Sequence, residues 1–154
     1  MPWAMAQLKL DAFLPYRLSI ASNRVSAAVA TAYEALFGLS IPQWRLIAVI
    51  AQGAGVTQQA LGAATQMDKV MVSRAAIALV ERGLVKRAPH PDDQRSHLLS
   101  LSAAGQALYD AVAPKALALE AQIFGGFSAE ESAQFAAMLA RVEAAAATIE
   151  SERG

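Results

Sequence analysis

The sequence predicts a mainly α-helical chain with one small β-hairpin. A short helix–turn–helix and its hairpin are set between long helices. Three observations carry this reading. Apolar residues recur at three- and four-residue steps over long stretches near both ends. Serine, threonine or aspartate heads each later helical stretch, and glycine stands at several breaks. Only residues 84–101 combine strand-like runs with a polar turn rich in proline and aspartate.

The first helix is expected over about Leu10–Phe37, with Leu14, Leu18, Ala21, Val25, Ala28, Ala32 and Leu36 on one face and Gly38 as its end. Ser40 begins the second, with Gln43 at the capping-box position and Pro42 in the first turn, and it runs to about Gln52. Gly53-Ala54-Gly55 breaks the chain and Val56 is extended. Thr57 caps a third helix to about Thr65, and Asp68 a fourth to Arg82, where Gly83 closes it. Strands follow at Leu84–Ala88 and His97–Leu101, joined by a long tip from Pro89 to Arg95. Ser102 caps a fifth helix to about Phe124, with Pro114 as an expected kink. After Gly125-Gly126, Ser128 and Glu131 form the capping box of a last helix to about Glu150.

The chain has 154 residues, of which 55% are hydrophobic. That is enough for a real core, and so apolar a chain is expected to hide further surface in a subunit interface. A membrane span is not expected, because no apolar run approaches the ~18 residues it needs. The N-terminus lacks a basic-then-apolar leader pattern, so the expected location is the cytoplasm. With no cysteine there is no disulfide, thiolate metal site or thiol switch. The net charge is zero, but residues 1–56 and 57–100 each carry +2 and residues 101–154 carry −4. This mild asymmetry is compatible with nucleic acid.

Helix, tight turn, helix and hairpin in residues 57–101 is the order of a winged helix-turn-helix. Its second helix enters the major groove while the first crosses the backbone. Val72, Ala76, Leu79 and Val80 form the buried stripe of the second helix. Lys69, Val70, Ser73 and Arg74 then fall on or near the other side of its N-terminal half, the part that reaches DNA. Arginine pairs with guanine edges, serine with bases or phosphate, and lysine with phosphate. In the hairpin, Arg95 suits the negative potential of a narrow minor groove, and Asp93 is placed to hold it extended.

Taken together, Gln43-Trp44-Arg45, Val56 to Leu61, Met67-Asp68-Lys69, Ser73-Arg74, Glu81 to Arg87 and Asp92-Asp93-Gln94-Arg95 resemble the MarR family of bacterial transcriptional regulators. The resemblance spans roughly residues 10–150. It implies a repressor that binds a pseudo-palindromic operator in double-stranded DNA as a homodimer and is released by a small aromatic or phenolic effector. It also implies an N-terminal dimerisation helix over 1–40, a DNA-binding lobe over 41–101 and C-terminal dimerisation helices over 102–154. Ser73 and Arg74 match the family's recognition-helix pair, Asp93 and Arg95 its wing, and Thr57 and Gln58 the start of the phosphate-touching helix. His90 and Asp92 depart from the family, standing where many members carry basic residues.

No enzyme, cofactor or metal site is expected. Ser73, His90 and Asp93 lack the glycines of a nucleophile elbow. His90 and His97 are two wing residues short of a zinc ligand set. Tyr16, Arg17, Arg24 and Trp44 are the candidates for an effector pocket, since cations beside aromatics suit a carboxylated aromatic ligand. Trp44 is better suited to the core at a helix start, and Met67 and Met71 to the core or gap filling.

Overall fold

The structure, a computed structural model, describes residues 6–153. Its elements run α1 (Leu14–Phe37), α2 (Ile41–Ile50), α3 (Gln58–Thr65), α4 (Lys69–Glu81), β1 (Val85–His90), β2 (Asp93–Leu101), α5 (Ala103–Phe124) and α6 (Ala129–Arg153). The chain forms two compact units that divide between Ala116 and Leu117.

The caps fall where the residue types demand. Ser40 and Gln43 close a reciprocal box at 3.3 and 3.2 Å, and Ser128 and Glu131 do the same at 3.0 and 2.9 Å. Thr57 Oγ1 accepts from the Ala60 N–H, and Asp68 Oδ1 from the Met71 N–H. The end of α4 is a Schellman turn. Gly83, at φ 72°, donates to the Val80 carbonyl, and Leu84 to that of Leu79.

The first helix starts later than the apolar stripe suggests. Residues Leu10–Ala12 form a 3₁₀ turn and α1 begins at Leu14. Pro15 explains the restart, because it has no N–H to continue a helix entering from Leu10. The stripe itself points outward in the single chain, with Leu14, Leu18 and Leu36 at 78, 43 and 59% exposure. The face that packs inward belongs to Tyr33 instead. Other ends move by a few residues: α2 stops at Ile50, and α6 extends to Arg153. Pro114 lies inside an α5 that continues through it.

The core of the first unit joins Leu39, Leu46, Ile47 and Ile50 to Leu61, Val72, Ala76, Leu79, Leu99 and Val112, all essentially solvent-free. Val80 is only half-buried, and Ala75 completes the buried stripe of α4. Val56 exchanges two backbone hydrogen bonds with Leu99, tying the entry to α3 to the second strand. The hairpin differs from expectation. Its strands pair from Val85↔Leu101 to Pro89↔His97 and His90↔Asp93, leaving Pro91-Asp92 as a two-residue tip. The long polar tip is thus mostly strand. Its extra length is taken up by a register break beside Pro89, which leaves Gln94–Ser96 without opposite partners.

The hairpin base is held tightly. Ser102 Oγ donates to the Gly83 carbonyl at 2.6 Å and accepts from the Gly105 N–H, while the Ser102 N–H reaches the Leu84 carbonyl. Arg82 donates to the carbonyls of Gly38 and Phe37, joining the end of α4 to the end of α1.

Candidate nucleic-acid interface

The turn between α3 and α4 sets their relative aim. Gln66 takes a left-handed conformation at φ 57°, and its amide caps the Ala63 carbonyl. Thr65 Oγ1 accepts from the Met67 N–H at 3.4 Å. Met67 packs inward, so the chain reverses within three residues and α4 starts at once.

This reversal brings five sequence-predicted residues around one concavity. Gln58 from the first turn of α3 joins Lys69, Val70, Ser73 and Arg74 from the first two turns of α4 about a hollow of about 410 Å³. Lys69, Val70 and Arg74 are exposed, while Gln58 and Ser73 are half-buried. Thr57 stands apart from this hollow, where its side chain caps α3. A second hollow of about 500 Å³ adjoins it, lined by Gln58, Gln59, Gly62, Ala63, Met67, Lys69 and Val72. Met71 turns away from the core and is 41% exposed, so it fills no gap in the single chain.

The wing is a separate piece of the surface. Arg95 and Asp93 are exposed, and the Asp93 carboxylate accepts from the backbone N–H of Arg95 at 3.0 Å. Asp93 thus shapes the strand at Arg95 through the main chain and leaves the guanidinium to point outward. His90 Nδ1 accepts from the Asp92 N–H, closing the tip. His90 and Asp93 therefore each serve the turn, apart from Ser73 on α4. Among the described residues no three histidine or carboxylate side chains cluster for a metal.

The four candidate effector residues are not brought together within one chain. Trp44 stacks on Tyr109 at 5.9 Å and meets Tyr33 at 5.5 Å. Burial pushes the Tyr33 phenol above its ordinary value of 10.0, so it stays neutral. Tyr16 lies seventeen positions earlier on α1, about 25 Å from Tyr33 along the axis. Arg24 is about 13 Å away by the same measure. Arg17 donates to the Asp11 carbonyl. Tyr33 and Tyr109 carry little signal in the sequence. Tyr33 sits one residue off the stripe chosen for α1, and that offset was its only signal.

A helix–turn–helix with a polar reading face, followed by a hairpin, defines a winged-helix protein of the kind that docks one helix in a DNA groove. Comparison with known proteins makes the class specific. Residues 37–96 match the MarR family. The transcriptional regulator HosA of Escherichia coli O111:H- is 30% identical over 97 residues, covering 63% of this chain and 72% of that one. A MarR/EmrR family transcriptional regulator from Acinetobacter sp. ADP1 shares the fold at a TM-score of 0.84 and 24% identity, over 92% of this chain and 99% of the other. CouR from Rhodococcus jostii RHA1, solved bound to p-coumaroyl-CoA, superposes at 0.79 with 25% identity, over 88% and 95% of the two chains. This chain belongs to the MarR family, and it is a transcriptional regulator rather than an enzyme. Among the described residues no single helix is long and apolar enough to cross a membrane.

Proposed function

We propose that this chain binds a pseudo-palindromic DNA operator as a homodimer, represses by occupying it, and is released by a small aromatic ligand. One observation carries the DNA reading: Gln58, Lys69, Val70, Ser73 and Arg74 surround a single outward hollow at the N-terminal half of α4. That is the half of a recognition helix that meets base edges, with Lys69 suited to phosphate and Arg74 to guanine. Thr57 and Gln58, at the head of α3, are suited to backbone phosphate. Arg95, exposed on the hairpin and shaped by Asp93, suits the adjacent minor groove. Ser73 is the remaining base or phosphate contact.

The homodimer is supported by the apolar residues left in solvent by one chain. Leu14, Leu18, Leu36, Phe135, Met138, Val142 and Ile149 are each 41–78% exposed and lie on α1 and α6. Such stripes call for a covering surface. The chain then divides by role into dimerisation helices over 1–40 and 102–154 and a DNA lobe over 41–101. For the effector, the aromatic faces at Trp44 offer stacking to a planar ligand, and the p-coumaroyl group of the CouR ligand is of that chemistry. Tyr16 and Arg17 lie too far along α1 to serve a ligand at Trp44 from the same protomer and would serve it from the partner. Release follows if the ligand prefers a lobe spacing that the operator does not match.

Footprinting on the chain's own promoter region tests this. The expected result is two protected stretches centred about one helical turn apart, roughly 34–36 Å. Protection of one short stretch only, by a species that sediments as a monomer, refutes the dimer. Absence of any protection refutes the DNA reading.

A further inference from the structure

We infer that Val70 reads the C5-methyl group of a thymine in each operator half-site, and that this thymine lies within two base steps of the guanine read by Arg74. The inference rests on the DNA reading above and names the bases that the same face selects.

Val70 is 58% exposed on the first turn of α4. Gln58, Lys69, Ser73 and Arg74 surround the hollow it lines, so an apolar side chain stands alone among polar and charged ones. Local physics gives no reason for it. Valine is β-branched and loses rotamer freedom in a helix, so a straight-chain or polar residue would suit an exposed helical position better. The core does not call for it either, since Val72, Ala75, Ala76 and Leu79 already fill the inner face of α4. Exposed apolar residues are ordinary on most surfaces, and α4 carries two more, Met71 and Ile77 at 41 and 45%, which do not line this hollow, so Val70 is distinguished by its place. Here it occupies the N-terminal half of a groove-entering helix, beside an arginine and a serine that face the same way.

Of the base edges displayed in the major groove, only thymine offers an apolar group, its C5-methyl. Two branched methyls of valine match that group in size and lack of polarity. A cytosine amino group or a guanine carbonyl would instead lose its water against Val70 with nothing in return. The discrimination therefore runs in one direction, toward thymine.

Spacing follows from helix geometry. Val70 and Arg74 are four residues apart on one face, separated by about 6 Å of helical rise. Successive base pairs are about 3.4 Å apart. With the helix lying along the groove, the two side chains span no more than about two base steps. Arg74 pairs bidentately with guanine O6 and N7.

The test begins with selection of duplexes from random-sequence DNA by the full chain. Each thymine of a selected half-site is then replaced by deoxyuridine, which removes only the methyl. One thymine per half-site is expected to matter, its replacement weakening binding about fourfold, the effect of losing one buried methyl-sized group. In Val70→Ala the same replacement is expected to change binding by less than about half that factor. A second variant, Val70→Thr, keeps the branched shape and should retain the preference in part. Thermal melting confirms that each exposed-site variant folds. If duplexes are selected and bound but no thymine shows this methyl effect, or if the effect persists unchanged in Val70→Ala, the inference is overturned and the DNA reading stands. If no duplex is selected at all, the DNA reading falls and the inference falls with it.

Discussion

Gly105 has no substitute at the base of the wing. It sits in the first turn of α5, where a β-carbon would overlap the Leu84 carbonyl oxygen and come 3.4 Å from Leu101 Cδ2. The same carbonyl accepts the Ser102 N–H at 3.0 Å. In an open helix, glycine to alanine would stabilise by up to about 1 kcal/mol. In Gly105→Ala the overlap falls on backbone, which cannot rotate away as a side chain can. Overpacking of this kind costs about 1–3 kcal/mol, and weakening the Ser102–Leu84 bond adds about 1 kcal/mol. The expected net loss is about 1–3 kcal/mol, after the helix gain is subtracted. Gly62→Ala is the matched control. It lies inside α3, and a β-carbon there meets only the Met67 carbonyl oxygen at 3.6 Å and Val72 Cγ2 at 3.9 Å. That variant should gain about 0.4–1 kcal/mol. Urea unfolding at one fixed protomer concentration measures both, since association would otherwise shift the midpoints. A Gly105→Ala midpoint at or above wild type would refute the close-approach reasoning. So would equal shifts of the same sign in the two variants.

Other substitutions separate the roles of the reading face. Arg95→Ala should weaken operator binding by about 1–3 kcal/mol in a gel-shift titration, and unchanged affinity would reduce Arg95 to a surface residue. Lys69→Ala should weaken binding to all sequences alike and lower the salt slope by about one per protomer. Arg82→Ala removes two hydrogen bonds to the end of α1 and should lower stability by about 1 kcal/mol, read by thermal melting, with DNA affinity little changed at temperatures where the chain is folded.

Much of the fold was legible because it is written in local chemistry. Ser40, Thr57, Asp68 and Ser128 cap the helices they were expected to cap, since a short oxygen-bearing side chain satisfies the free N–H groups wherever a helix begins. Gly83 was legible as a left-handed C-terminal residue for the same local reason. The hairpin tip was not. Proline and histidine carry weak strand preference, yet Pro89 and His90 pair with β2, because register is set by the partner strand and the buried Leu99. The need for glycine at position 105 arises from Leu84, twenty-one residues earlier, so no local pattern announces it.

The reading face was legible as a set, because Lys69, Val70, Ser73 and Arg74 share one helix and its period is fixed. Placing Gln58 beside them took the three-dimensional reversal at Gln66. Only one of the three members of the aromatic group was legible. Trp44 was named, but its neighbours Tyr33 and Tyr109 come from helices distant in sequence, while Tyr16, Arg17 and Arg24 run along α1 away from it.

DNA binding by the α4 face and the wing underlies every role proposed for these residues. Fluorescence anisotropy of a labelled promoter fragment, titrated with purified protein across a range of salt concentrations, tests it most directly. Lys69 from two protomers would neutralise two phosphates, contributing about −2 to the log–log salt slope. The expected result is tight binding at low salt that falls at least this steeply, and more shallowly in Lys69→Ala. No salt-sensitive binding at any protein concentration would contradict the claim.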